Sequence, residues 1–357
     1  MTMAQAFDVI VVGLGPAGSR AAAEAARRGC RVLALDRRRR AGYPVQCAEF
    51  VPALLDQELN GLTDITVQRI TEMMTFVEDA PPDLKAGFPG RMIDRGRFDA
   101  ALVERALDAG ADCRFETKVA DVTTDGTVVT SGGGRYRVPV LIAADGPRSC
   151  LGAACGLPDQ QVVETRQITV PLLEALASTD IFLSADIKGG YGWLFPKGDA
   201  ANLGVGVAPS AKHRLKPILE ALHESLMAAG RVGGQVQGHT GGAIPVGGMR
   251  EATSTLVDCA VLFAGDAAGL ANPITGAGIS AAVISGGLAG EAAARLLAGE
   301  DDAGEDYAEE LRDLFKPALD RALARRQALL AGYDRGGMPP PAALRRGWIA
   351  YPEYWAA

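Results

Sequence analysis

Short apolar runs at residues 9–12, 138–143 and 260–264 are too brief for helices and carry no polar break, the pattern of strands buried on both faces of a parallel sheet. A fourth run at 31–35 ends in Asp36. Between the first and the fourth, an alanine-rich stretch as far as Ala26 combines helix propensity with side chains small enough to lie close on a sheet, and Gly29 stops it. A second small-residue helix is expected to run to Leu297. Elsewhere the period is two. Residues 61–93 read as strands about a turn at Pro81-Pro82-Asp83, followed by 113–116, 118–123 and 126–130 with a hairpin turn at 131–134. The antiparallel pattern resumes at 167–172, 180–186, 191–196 and 201–207. Further helices are expected from 94 onward, with Phe98, Leu102, Val103 and Leu107 on one face, over 215–229, and over a charged segment from 301 to about 333. These elements predict an α/β (α+β) chain. A Rossmann-like dinucleotide-binding domain with a three-layer sheet takes residues 1–60, 94–160 and 255–300. An antiparallel-sheet substrate domain takes 61–93 and 161–254, and a helical segment and tail take 301–357.

Gly13, Gly15 and Gly18 stand at G-x-G-x-x-G spacing between the first strand and the first helix, with Pro16 and Ala17 in that helix's first turn. A pyrophosphate needs backbone N–H groups and a helix N-terminus brought close to it, and Cβ atoms would block the approach. Asp36 stands where a dinucleotide-binding unit places the carboxylate for the adenosine ribose, and an acid there disfavours a 2′-phosphate. Placement near the N-terminus favours FAD over NAD as the resident ligand, by analogy. The run at 138–143 leads to Asp145-Gly146, which returns the chain to the nucleotide at the carboxyl edge of the sheet. The run at 260–264 leads to Gly265-Asp266 and a turn containing Pro273, Gly276, Gly278 and Ile279. There a carboxylate would accept ribityl hydroxyl protons, and the helix N-terminus near Gly278 would face the flavin pyrimidine and favour its anionic reduced form. No histidine or cysteine stands beside these motifs in an attachment sequence, so non-covalent FAD is expected.

With 357 residues the chain is long enough for two intertwined domains, and 48% hydrophobic with 22% charged residues suits a globular protein. A formal net charge of −7 argues against nucleic acid as a partner. Six scattered cysteines form no CxxC pair and the three histidines lack ligand-like spacing, so neither a disulfide framework nor a metal site is expected. No signal peptide and no spanning segment is visible, which points to a cytoplasmic protein, with peripheral membrane contact left open.

Other residues carry weaker signals. The basic run from Arg37 to Arg40 suits either the phosphate edge of the adenosine or a solvated loop. Cys47, in a proline-bounded loop with Ala48, is either a thiol beside the flavin or a small buried hydrophobe. Arg95 suits a phosphate, a ribityl chain or a structural ion pair. Tyr191, Trp193 and Phe195 alternate on one face of a strand with glycine opposite, as one wall of a ligand groove or a plain core would. The aromatic tail with Trp348, Tyr351, Tyr354 and Trp355 would cap that groove or contact a partner.

The fingerprint from Gly13 to Asp36, with Asp145-Gly146 and Gly265-Asp266, resembles the FAD domain of aromatic-hydroxylase-like flavoproteins. Within that group Gln46-Cys47-Ala48-Glu49, Asp94-Arg95-x-x-Phe98-Asp99 and Gly190-Tyr191-Gly192-Trp193-Leu194-Phe195-Pro196 resemble the geranylgeranyl reductase family over roughly residues 7–300. Lys188 stands three positions before the tyrosine, where the family often has proline, and the C-terminal region is short for enclosing a polyprenyl chain. The resemblance implies that NAD(P)H reduces FAD and that the flavin hydride goes to an isolated C=C bond of an isoprenoid or other apolar substrate. It implies Arg37, Cys47, Ala48, Arg95 and Val119 against the cofactor, Cys47, Tyr191 and Trp193 as catalytic residues, and Tyr191, Trp193 and Phe195 along the substrate. Two other classes remain: a flavoprotein passing electrons to a redox protein partner, as in lipoate assembly, and a non-catalytic prenyl-binding protein. The intact Gly13, Gly15, Gly18 and Asp266 argue against the last.

Overall fold

The computed structural model describes residues 7–52 and 65–356. The first six residues and residues 53–64, which belong to the expected dinucleotide-binding and substrate domains, lie outside the described residues. Four-residue apolar runs form β1 (Val9–Val12) and β2 (Val32–Leu35), joined by α1 (Pro16–Arg27). After β3 (Phe50–Pro52) come the long β4 (Thr66–Val77) and β5 (Asp83–Ile93), then α2 (Arg95–Asp108) and β6 (Asp112–Arg114). A small meander follows, β7 (Val119–Val122), β8 (Val128–Thr130) and β9 (Arg135–Tyr136), then β10 (Val140–Ala143) and α3 (Cys150–Ala154). The antiparallel strands are β11 (Val162–Pro171), β12 (Ser178–Leu183), β13 (Gly192–Lys197) and β14 (Ala200–Val207), covered by α4 (Leu215–Ala228). Short β15 (Gly238–Thr240) and β16 (Ala243–Pro245) precede β17 (Thr253–Leu256) and β18 (Cys259–Phe263). Helices α5 (Ile279–Leu297), α6 (Ala303–Asp334), α7 (Pro341–Arg346) and α8 (Pro352–Trp355) complete the chain.

Strands from three separated parts of the chain make one sheet in the order β17-β18-β10-β1-β2-β6, parallel except at β17. Every residue of β1, β2 and β10 is buried, which explains why these runs carry no polar position. The meander shares the same core through Val122 and Val128. Helix α5 lies against α1 with almost no gap. A Cβ on Gly286 would stand 2.2 Å from the Ala17 carbonyl oxygen, and one on Gly290 2.4 Å from that of Ala21. Only glycine permits backbones this close.

The second sheet has the order β15-β11-β14-β13-β12-β4-β5-β3, with β16 also on β11. Its α4 face buries Ile168, Val170, Leu194 and Leu203 against Leu215 and Leu219. The opposite face carries Trp193 and Phe195, which lie under Leu344, Trp348 and Tyr351 of the tail.

Some boundaries differ from expectation for local reasons. Leu107 is 49% exposed and Ala106 is buried, because α2 buries the row Phe98, Leu102, Ala106 at a spacing of four. Tyr191 immediately precedes β13, and β12 runs earlier than expected, over Ser178–Leu183. The short α3 was not expected. Ser149 caps it, its Oγ accepting from the Gly152 N–H at 2.9 Å.

Candidate active site

The three fingerprint glycines are required by different partners. Gly13 has φ +98°, and a Cβ there would lie 2.2 Å from the Ala144 oxygen. A Cβ on Gly18 would lie 1.7 Å from the Gly13 oxygen. These two close the strand against the helix. Gly15 has an open side, its nearest neighbour being Arg38 Nη2 at 3.6 Å. Pro16 occupies the first turn of α1 and no side chain caps the helix, so its leading N–H groups face the space above Gly15. That is a cradle for phosphate.

Asp36 is buried at the end of β2. Its carboxylate accepts from the Leu14 N–H at 2.8 Å, from the Arg38 N–H at 2.7 Å, and from Arg38 Nε and Nη2 at 3.1 and 2.9 Å. Burial pushes the Asp36 carboxyl up, but Arg38 and these N–H donors outweigh it and hold it below the ordinary value. The basic residue at this corner is therefore Arg38, while Arg37 points to solvent.

Across the sheet edge, Asp145 Oδ2 accepts from the N–H groups of Cys150 and Leu151, while its buried Oδ1 has no partner. Gly146 follows with φ +84°, and Gly265 with φ +60° begins the next turn. The Gly265 N–H donates to Ser285 Oγ at 2.9 Å, which ties this turn to α5. Among the described residues no group donates a hydrogen bond to the Asp266 carboxylate. Burial raises it to about 6, with Arg95 opposing. Asn272 Oδ1 accepts from the N–H groups of Ile274 and Thr275 and so shapes the turn that holds Pro273 and Gly276. Gly278 is the uncapped N-terminal boundary of α5, which Ile279 begins, and a Cβ there would stand 3.3 Å from Asp266 Oδ1. A desolvated carboxylate lacking donors, beside a bare helix N-terminus and in line with an open glycine cradle, fits FAD. The ribityl hydroxyls would donate to Asp266, the pyrophosphate would rest over Gly15, and the α5 N-terminus would meet the flavin ring.

The loop at 43–50 joins this cofactor edge to the aromatic face. Cys47 Sγ accepts from the Glu49 N–H at 3.1 Å, and the Arg95 side chain lies beside it. Arg95 is also held on Asp99 by two bonds of 3.0 Å. Gln167 Nε2 donates to the Cys47 carbonyl, Asn202 Nδ2 to that of Ala48, and Gln46 Nε2 to that of Gly241. Tyr191 donates its hydroxyl to the Thr275 carbonyl at 2.6 Å, and burial, with Cys47 beside it, pushes the phenol up. Trp193 Nε1 donates to Gln167 Oε1 at 3.0 Å, and Phe195 meets Phe50 with ring centroids 5.9 Å apart. The Trp193 ring lies over Gly204, where a Cβ would come within 2.2 Å of it. From the tail, Trp348 meets Tyr191 at 4.8 Å between centroids, and its buried indole N–H has no acceptor among the described residues.

The structure thus brings together Cys47, Ala48, Arg95, Tyr191, Trp193 and the turn from Pro273 to Ile279. It leaves Arg37 outside, and Val119 half-buried against the sheet core. Sequence reasoning missed Lys197, Asn202 and Gln167, and gave no individual role to Glu49 within the Gln46–Glu49 motif or to Arg38 within the basic run at 37–40. Arg38 had a readable signal, since a residue two positions after a strand-ending acid folds back onto it. Lys197, Asn202 and Gln167 reach the loop at 43–50 through pairings more than a hundred residues apart.

Residues 8–167 match the family model described as lycopene cyclase protein. Digeranylgeranylglycerophospholipid reductase 2 of Methanopyrus kandleri is 35% identical over 87% of this chain and 82% of its own length. The digeranylgeranylglycerophospholipid reductase of Methanocaldococcus jannaschii is 32% identical over 82% of this chain and 78% of its own. A crystal structure of a geranylgeranyl bacteriochlorophyll reductase-like protein from Thermoplasma acidophilum superposes with a TM-score of 0.81 and 25% identity, covering 95% of this chain and 89% of that one. The fold alone is shared with a probable FAD-dependent monooxygenase from Pseudomonas aeruginosa, at a TM-score of 0.71 and 17% identity over 95% of this chain and 98% of that one. With a cradle for FAD on one side, an aromatic face on the other and this degree of likeness along most of its length, the chain belongs to the geranylgeranyl reductase family and is an FAD-dependent oxidoreductase.

Proposed function

We propose that the protein saturates carbon–carbon double bonds of an isoprenoid chain, with NAD(P)H as electron donor. One observation carries the reading: Tyr191 and Trp193 present an apolar aromatic face directly beside Cys47 and the turn at 272–278 that fits the flavin. Saturating one double bond takes a hydride and a proton. Bound FAD, recharged by NAD(P)H, supplies the hydride. The Cys47 thiol holds the proton at Sγ, with the Glu49 N–H and the Arg95 side chain beside it. Trp193, Phe195, Leu344 and Trp348 exclude water from that space.

Among the described residues no helix is long and apolar enough to cross a membrane. The reading places the protein in the cytoplasm, meeting a prenyl lipid at the membrane surface. A second reading, electron transfer to a protein partner, draws on the tail that covers the aromatic face. The two separate in one anaerobic experiment. Photoreduced holoprotein mixed with a geranylgeranyl lipid should be reoxidised, with two hydrogens gained per bond by mass spectrometry. Trp193→Ala should slow that step with FAD retained. Flavin that stays reduced with every prenyl lipid while a co-purifying protein oxidises it would reverse the choice.

A further inference from the structure

Glu49 is buried, yet its backbone sits at φ +68°, a left-handed conformation that a glutamate adopts only when its surroundings impose it. The conformation has a visible product. It sends the Glu49 carbonyl to the Ile93 N–H at 2.9 Å and turns the Glu49 N–H to Cys47 Sγ at 3.1 Å. The side chain then reaches three other elements. Its oxygens accept from Lys197 Nζ at 2.8 and 2.7 Å, from Asn202 Nδ2 at 3.0 Å, and from the Arg95 N–H at 3.1 Å. A buried ion pair rarely repays its own desolvation, so stability gives this arrangement little purpose. Its geometric effect is specific, because the Glu49 N–H faces the Cys47 sulfur while the Glu49 carboxylate holds the main-chain N–H of Arg95, whose side chain lies beside the same sulfur.

We propose that Glu49 is a positioning residue that, braced by Lys197, aims these two donors at the Cys47 sulfur and so keeps the thiol ready to exchange its proton. The proposal rests on the reading that Cys47 handles the proton of the reduction. The ionisable groups facing the sulfur or its immediate partners are Arg95, Asp99, Tyr191, Glu49, Lys197 and Asp266.

The test is site-resolved alkylation of the FAD-loaded protein by iodoacetamide across a pH series, read by mass spectrometry at each cysteine, which needs no substrate. Glu49→Gln combined with Lys197→Met removes both charges of the pair, so the net charge beside the sulfur is unchanged. At neutral pH its Cys47 should react about tenfold more slowly than in the parent protein. In alkali, where every thiol is ionised, the two rates should converge within about twofold, which a merely loosened loop would not produce. Lys197→Met, with Glu49 in place, should slow Cys47 in the same direction and guards against a Glu49 variant that fails to fold. Cys47 reacting at or above the parent rate in the variants that retain FAD overturns the proposal. Failure of prenyl reduction with this slowing present would overturn the function and leave Glu49's role standing.

Discussion

Gly15 and Gly18 look equivalent in the fingerprint, and the structure separates them. A Cβ on Gly18 would collide with the Gly13 backbone, whereas one on Gly15 enters open space that only a ligand would fill. Gly18→Ala should therefore lower the melting temperature of the apoprotein by several degrees. Gly15→Val should leave it nearly unchanged and abolish flavin retention. Both quantities come from a thermal melt and the visible spectrum of the purified protein. Equal melting losses would show that the loop is held by packing alone. At the other edge, Asp266→Ala should weaken FAD retention more than Cys47→Ala does, since ribityl hydroxyls stranded without an acceptor cost on the order of 1–3 kcal/mol.

Asp266 also has a signature before FAD binds. Its folded value, about 6, lies above the ordinary 3.8, so the folded state holds the extra proton more tightly than the unfolded chain. The stabilisation is complete below about pH 4 and is lost as pH rises through about 6, on the order of 2–3 kcal/mol in all. Apoprotein unfolding followed by denaturant titration should show this fall, and Asp266→Asn should lack it. An identical pH profile in that variant would assign the loss to another group.

At the scale of elements, β13 and β14 make one unit, because Trp193 can lie flat only over Gly204. Gly204→Ala should tilt the indole away, break its bond to Gln167, and shift tryptophan emission to longer wavelength. The tail is the other such unit. Ending the chain after Gly337 removes α7, α8 and Trp348, and should uncover Tyr191, Trp193 and Phe195. The truncated protein should bind an apolar dye that the full chain excludes and should reoxidise faster with prenyl lipids if the tail is a lid. Dye binding equal to the full chain would mean that the face stays closed without it.

These elements also show where reading the sequence succeeds. The strands read at 9–12, 31–35 and 138–143 were legible because burial on both faces removes every polar residue from β1, β2 and β10, and the fingerprint was legible because glycine at fixed spacing has few other uses. Leu107 was misread because α2 offers two overlapping apolar rows, and only the partner surface selects between them. Glu49 stood only as the last residue of the Gln46–Glu49 motif, with no role assigned. Its positive φ and its bond to Lys197, 148 positions away, depend on the second sheet being in place.

For the whole molecule, the FAD cradle is assembled from three separated parts of the chain, and the second sheet from the intervening ones. This interleaving explains how a single loop at 43–50 can report from one sheet to the other. It also explains why a family model that stops at residue 167 covers the Gly13–Asp36 fingerprint and Asp145 but neither Asp266 nor the aromatic face.

The contact of α5 with α1 through Gly286 and Gly290 has a further consequence during synthesis. Ala17 and Ala21 leave the ribosome early, but the glycines that fit against them emerge roughly 270 residues later, a wait on the order of tens of seconds at ordinary elongation rates. Through that interval the α5-facing side of α1 is uncovered and Asp266 is missing from the cradle. A nascent chain stalled before α5 should therefore be captured by chaperones and should not take up flavin, while one released after α6 should do so at once.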